Sequence, residues 1–273
     1  MHLPLPFIMP QAPIDITTDG HVHTRLCHHA RGEMEEYVQA AVAAGLKKII
    51  FLEHYETGID YFESTWLTEA DFVYYHGEGR RLAEKYQGLI AVGAGVEVGA
   101  NPEHLQDAVA FLGKFKWERI GLSYHYLKTD LGHVNMVSRR PASIALMERF
   151  GVANVAAAYF AGLKKALAVI PADVVCHLDA VMRHCPSFVF AEDDFARTVE
   201  ILSLMREKDV ALEVNTSGYP LRGEPFPSLR LLKVAQGMGV RLVAGSDAHR
   251  PEHVGRYFDR LAELLGLRLP NKE

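Results

Sequence analysis

The 273-residue chain is 49% hydrophobic and 23% charged, the values of an ordinary globular protein long enough to bury a core without disulfides or a structural metal. A formal net charge of −5, with no Lys/Arg-rich stripe, argues against a broad nucleic-acid-binding face. Three cysteines, Cys27, Cys176 and Cys185, do not make a disulfide framework and fit a reducing, cytoplasmic setting, and no apolar run reaches the ~20 residues of a membrane span.

The opening stretch MHLPLPFIMPQAP is broken by four prolines and lacks a basic start, so residues 1–16 are expected to form an extended arm and not a signal peptide. A strand-like run, IDITTDGH, comes next, then GEMEEYVQAAVAAG (32–45), with apolar residues at helical spacing and a glycine stop. KKIIFLEH reads as a second strand and residues 68–88, opened by Thr68 and closed by Gly88, as a second helix. LIAVGAGVEV, RIGLSYH and DVVCHLD follow as strands, then a helix over 193–209, the strand VALEVN, a helix over 227–239 and the strand RLVAGSD. The runs are short, rich in Val, Ile and Leu, and do not alternate strictly, as in a parallel sheet buried on both faces. Seven strands alternating with helices imply a barrel or a doubly wound sheet. Nearly every run ends in His, Glu, Asp or Asn. A barrel gathers those ends at one face, so a single (β/α) barrel domain of about seven strands is the better reading.

Four histidines crowd into nine positions, His21 to His29. His21 and His23 are two apart, so on a strand both point to one face and can chelate one ion. The other strand ends offer Asp19, Glu53 with His54, Glu97, His125, His177 with Asp179, Asn215, and Asp247 with His249. A lone strand-end histidine is more often hydrogen-bonded than a ligand, but histidines at five separate strand ends, with Glu97 and Asp247, point to metal. Imidazole mixed with carboxylate suits Zn, Fe or Mn and not Ca or Mg. One ion with ~4 ligands cannot use so many donors, whereas two or three ions sharing a carboxylate can.

In order, DGHVHT, LEH, GVEVG, SYH, CHLD and GSDAH resemble the motifs of the polymerase and histidinol phosphatase (PHP) superfamily. HTRLCHH, the helix before LEH, and LEVNTSG through GSDAHRPEHVG are similar to its histidinol-phosphatase branch, over residues 17 to 258. The resemblance implies a distorted (β/α)7 barrel with a trinuclear site of divalent transition metals. His21, His23, Glu97 and Asp247 would hold the first ion. Glu97, His125 and His177 would hold the second. His29, His54 and His249 would hold the third, with His28 a bystander. It further implies hydrolysis of L-histidinol phosphate in histidine biosynthesis, with Glu97, Asp247 and His249 central to catalysis and arginines of two loops, Arg183 and Arg222, on the substrate phosphate. Asp19 is expected to orient a ligand histidine and Asp179 to stand behind His177. Arg25 is a weaker phosphate candidate, and Tyr124, Tyr126 and Tyr219 could line the pocket. Metals would supply a hydroxide and neutralise phosphoryl charge, with no cysteine nucleophile.

Three segments depart from the branch: VGANPEHLQD after Glu97, HYLKTDLGHVNMVSRR after His125, and NTSGYPLRG, whose arginine sits two residues late. These loops would read the alcohol, so another small phosphate such as a nucleotide is the alternative substrate. A metal-binding interaction module would need missing ligands, and all nine mapped positions are filled. A zinc amidohydrolase would need a strand-end lysine, and Lys47 and Lys48 begin a strand instead. Oligomeric state is left open.

Overall fold

The computed structural model describes residues 14–264. Most of the expected arm and the last nine residues lie outside that range. In chain order the elements are β1 (Thr18–Val22), α1 (Met34–Ala43), β2 (Lys48–Glu56), α2 (Glu69–Lys85), β3 (Ala91–Gly99), α3 (Leu105–Leu112), β4 (Ile120–Ser123), β5 (Tyr126–Thr129) and β6 (Gly132–Asn135). They continue with α4 (Pro141–Phe150), α5 (Val152–Val169), β7 (Val174–Val175), α6 (Glu192–Glu207), β8 (Ala211–Asn215), α7 (Tyr219–Arg222), α8 (Leu229–Gly237), β9 (Leu242–Gly245) and α9 (Phe258–Leu264).

All seven expected strands are present in one parallel sheet, ordered β1-β2-β3-β4-β7-β8-β9. The His23 N–H donates to the Ala248 carbonyl at 2.9 Å, and a parallel bridge joins Val22 to Ala248. The sheet therefore nearly closes on itself as a barrel. β2 and β3 each run two residues beyond the expected motif tips at His54 and Glu97, and their register sets those two residues directly opposite each other.

The helices cover the barrel with their apolar stripes. In α2, Phe72, Tyr75, Gly79 and Leu82 face inward, and the Thr68 hydroxyl accepts from the Asp71 N–H in a reciprocal cap. Burying Phe72 and Leu82 contributes about 2–3 kcal/mol each before entropy is counted. Helix α5 is long and apolar enough to cross a membrane by length and composition; one face, including Val155, Tyr159, Phe160 and Leu163, is buried in the core. The antiparallel hairpin β5–β6 and helices α3, α4 and α5 were not read from the sequence. The hairpin interrupts the strand–helix alternation right after His125 and forms a flap beside the strand ends.

Candidate metal centre

The strand ends converge on Glu97, which is fully buried. His21 Nε2 and His23 Nε2 lie 2.9 Å apart, 3.4 and 3.5 Å from Glu97 Oε2, and 3.9 and 3.4 Å from Asp247 Oδ1. Four donors about 2.0–2.2 Å from a tetrahedral ion are separated by roughly 3.3–3.6 Å, so the spacing fits one ion. Glu97 Oε1 lies 3.4 Å from His125 Nε2 and 2.9 Å from His177 Nε2, a second group sharing the same carboxylate. His29 Nε2 and His249 Nε2 are 2.7 Å apart, with the His54 ring centred 5.1 Å from that of His29. His54 Nδ1 approaches Glu97 Oε2 at 2.9 Å and its ring stacks on that of His23, so His54 stands between the first and third groups.

Orphaned atoms mark the same place. Glu97 Oε2 lies within 3.5 Å of imidazole nitrogens of His21, His23 and His54, yet makes no hydrogen bond of proper geometry. The buried His54 Nε2 also lacks a partner. An unpaired buried polar atom costs ~1–3 kcal/mol, and a bound cation is one way to satisfy such an atom. The residues present fit a multinuclear site of divalent transition metals.

A second layer fixes the imidazoles. Nδ1–H of His21 donates to Glu213 Oε1 at 2.7 Å and that of His125 to Glu56 Oε1 at 2.8 Å. His29 and His249 bond the carbonyls of Cys27 and Asp247 through Nδ1, at 2.9 and 3.1 Å. Each bond leaves the Nε2 lone pair facing the centre, the arrangement metal sites use to set tautomer and ring direction. Glu213 Oε2 also accepts from the His177 backbone N–H and from Asn215 Nδ2. Gly99 and Gly245 make room for this layer, because a Cβ at either would overlap the carboxylate of Glu56 or Glu213. His177 (φ +27°) and Asp247 (φ +50°) hold left-handed backbone, strain of the kind that concentrates at functional sites.

Burial keeps four of these imidazoles neutral: it drives His54 down to about 4 and His249 to about 3, and lowers His23 and His29. Against the same cost of burial, Glu213 and Glu97 raise His21, and Glu97 with Glu56 lifts His125 to about 10. Burial likewise opposes ionisation of Glu97 and Asp247, but the surrounding histidines hold both well below the usual carboxylate range.

Other expected residues fall elsewhere. Asp19 touches no imidazole ring. It accepts from the backbone N–H groups of Ser246 and Gly255 at 2.9 and 2.8 Å and so pins the strand end beside Asp247. Asp179 takes both Arg222 Nη atoms at 3.1 and 3.0 Å and the Ser228 N–H at 2.9 Å. Helix α7 carries Arg222 along the outside of the cleft, where it stacks over Phe226 and bonds the Pro225 carbonyl. The pair is a loop staple, and Asp179 does not stand behind His177. Arg183 does line the cleft, with Nη1 4.0 Å from Asp247 Oδ2. Arg25 pairs with Glu33 on the surface, and His28, exposed at φ +65°, bonds the Ser64 carbonyl. Glu53 turns away from the centre to hold Thr24, and burial pushes it up to about 8, so it is uncharged at neutral pH. Asn215 caps Ser217. Tyr126 lines the cleft, Tyr124 packs in the core and Tyr219 lies against Tyr257.

Sequence reasoning missed Glu56, Glu213 and Ser123, whose hydroxyl donates to Glu97 Oε1. The signal was available for Glu213, an acidic residue inside the apolar run VALEVN and so in need of a buried partner; Glu56 lies in the mostly polar stretch EHYETG and carries no such signal.

A PHP-domain family model matches residues 19–217, and a PHP-associated model matches 229–263, the segment that carries Asp247 and His249. A Deinococcus radiodurans protein named "Probable histidinol-phosphatase" is 29% identical over 250 residues, covering 90% of this chain and 92% of that protein. The histidinol-phosphatase of Bacillus subtilis is 26% identical over 265 residues, covering 90% and 98%. Among solved structures, a histidinol phosphate phosphatase from Lactococcus lactis, complexed with zinc, L-histidinol and phosphate, superposes with a TM-score of 0.70 at 20% identity over 92% of this chain and 94% of that one. With its seven-stranded barrel and its strand-end histidines gathered on Glu97, this chain belongs to the PHP-domain family.

Proposed function

We propose that this protein hydrolyses a small phosphate monoester, L-histidinol phosphate, to L-histidinol and phosphate, using two or three divalent ions of the Zn, Fe or Mn type. The observation that carries the reading is the assembly of eight donor residues around the buried Glu97 carboxylate, beside a cleft that Arg183 lines. Relatives bearing the histidinol-phosphatase name across nearly their full length supply the substrate. The donors come from segments matched by both family models, so residues 1–273 act as a single domain in this reading.

Bound ions would activate the attacking water and take up charge on the phosphoryl oxygens. His21, His23, Glu97 and Asp247 would hold the first ion, Glu97, His125 and His177 the second, and His29, His54 and His249 the third. Glu97 would be shared between the first two, because its two oxygens face different groups. Glu213 and Glu56 hold His21 and His125 in the ligating tautomer. Arg183 supplies the fixed positive charge that a phosphoryl group meets on entry. Phosphate release from L-histidinol phosphate, compared with nucleoside monophosphates, tests the substrate. A strong preference for a nucleotide would overturn it.

A further inference from the structure

The cleft beside the metal donors has a volume of about 70 Å³. A single water position needs ~10–15 Å³ of such space, so a cleft of this size, lined by seven of the metal donors, leaves room for a phosphoryl group and little of its alcohol. The rest of the alcohol must meet the rim. Part of that rim is Thr65, Tyr126, Asn135 and Val137, contributed by the loop after β2, by the hairpin β5–β6 and by the turn that follows it.

Tyr126 is 2% exposed, and its hydroxyl sits 3.0 Å from Thr65 Oγ1 and also bonds the Asn135 side chain, which lies directly across the hairpin. The ring is clamped edge-on by Tyr61 and Trp66, with centroids 5.1 and 5.6 Å away. Asn135 Oδ1 accepts from the Val137 N–H at 2.9 Å, so its Nδ2 is the atom that meets the Tyr126 hydroxyl, and the second N–H of that amide is the donor left for a ligand. The carboxylates lining the cleft are Glu97 and Asp247, both engaged with the histidines. The hairpin rim therefore offers neutral donors and acceptors and no anion for an ammonium group.

We propose that Thr65, Tyr126 and Asn135 form the leaving-group subsite, and that it takes a neutral ring bearing one donor and one acceptor nitrogen. In L-histidinol phosphate that group is the imidazole, not the amine. The assignment rests on the phosphatase reading and deepens it.

The test uses metal-loaded protein and four esters: L-histidinol phosphate, its analogue without the amine, its analogue without the ring, and ethyl phosphate. Two variants keep the packing. Tyr126→Phe removes only the hydroxyl. Asn135→Asp keeps the oxygen that Val137 needs and replaces the donor with an anion. Each should lower kcat/KM for the two ring-bearing esters, relative to ethyl phosphate, by about tenfold, the size of one lost hydrogen bond. The ring-less ester should keep its ratio in Tyr126→Phe and gain in Asn135→Asp, whose new charge suits the ammonium. Equal losses on all four esters, or none, would overturn the subsite. A wild-type enzyme that ignores L-histidinol phosphate but cleaves another monoester would overturn the substrate reading instead. The subsite is then judged by whether both variants cut selectivity for that ester's neutral polar group over ethyl phosphate.

Discussion

Glu213→Gln should weaken metal binding although Glu213 touches no ion. The carboxylate is 2% exposed and accepts three bonds, from His21 Nδ1 at 2.7 Å, the His177 N–H at 2.9 Å and Asn215 Nδ2 at 3.0 Å. An amide cannot accept all three. If its oxygen faces His177 and Asn215, its NH2 faces His21 and forces that ring to carry its proton on Nε2, the nitrogen meant for the ion. If the oxygen faces His21, three donors are left pointing at one another behind His177. Loss of such an outer partner lowers metal affinity about 10–100-fold, roughly 1.4–2.7 kcal/mol. Competition of the variant against a chromophoric chelator reads the affinity directly, and a thermal melt checks the fold. Affinity unchanged within about threefold in a folded variant would refute the idea that Glu213 sets the His21 tautomer.

His28→Ala should leave metal content as in the wild type, since His28 bonds only a surface carbonyl, while His29→Ala should lose close to one ion per chain by elemental analysis. The reverse pattern would exchange their roles. Arg183→Ala should cut kcat/KM about 10–100-fold, the scale of lost charge-assisted bonds, mainly through KM; an unchanged KM would remove Arg183 from phosphate binding. Asp179→Asn should leave metal content alone and lower stability by about 1–2 kcal/mol in denaturant titrations, because the Arg222 staple loosens. Metal-free protein should be most stable near neutral pH. Burial holds His54 and His249 neutral to about 4 and about 3, so below the ordinary 6.5 the unfolded chain binds more protons and acid destabilises. Opposing its own burial, Glu97 and Glu56 keep His125 protonated to about 10, so that pairing is fully present below 6.5 and is lost as pH rises through 10. A urea midpoint that kept climbing from pH 7 to 9 would contradict this balance.

The barrel and the centre were legible because they follow from local pattern. Short apolar runs ending in His, Glu or Asp say both that strands are buried on two faces and that their ends do chemistry, and the spacing of His21 and His23 fixes their common face. What was not legible depends on where a side chain finds a partner. Asp179 follows His177 by two residues, which on a straight strand gives one face. β7 ends at Val175 and His177 takes left-handed backbone, so the alternation does not carry through and Asp179 turns to Arg222. Arg222 sits near the phosphate-binding position in sequence, but α7 carries it past the cleft to that carboxylate. The same limit hid the outer layer. Glu213 and His21 are separated by 192 positions and meet only when the barrel closes. The hairpin β5–β6 was missed because its strands are only four residues each and mix polar with apolar residues, too short for a pattern to stand out.

The most direct test of the whole account is phosphate release from L-histidinol phosphate by one preparation assayed as purified, after chelator stripping, and after reloading with zinc or manganese. Turnover is expected in the first state, loss in the second and recovery in the third, with at least two ions bound per chain on recovery. Undiminished turnover by stripped protein would contradict the metal mechanism, and fully loaded protein that releases no phosphate from this ester would contradict the proposed substrate.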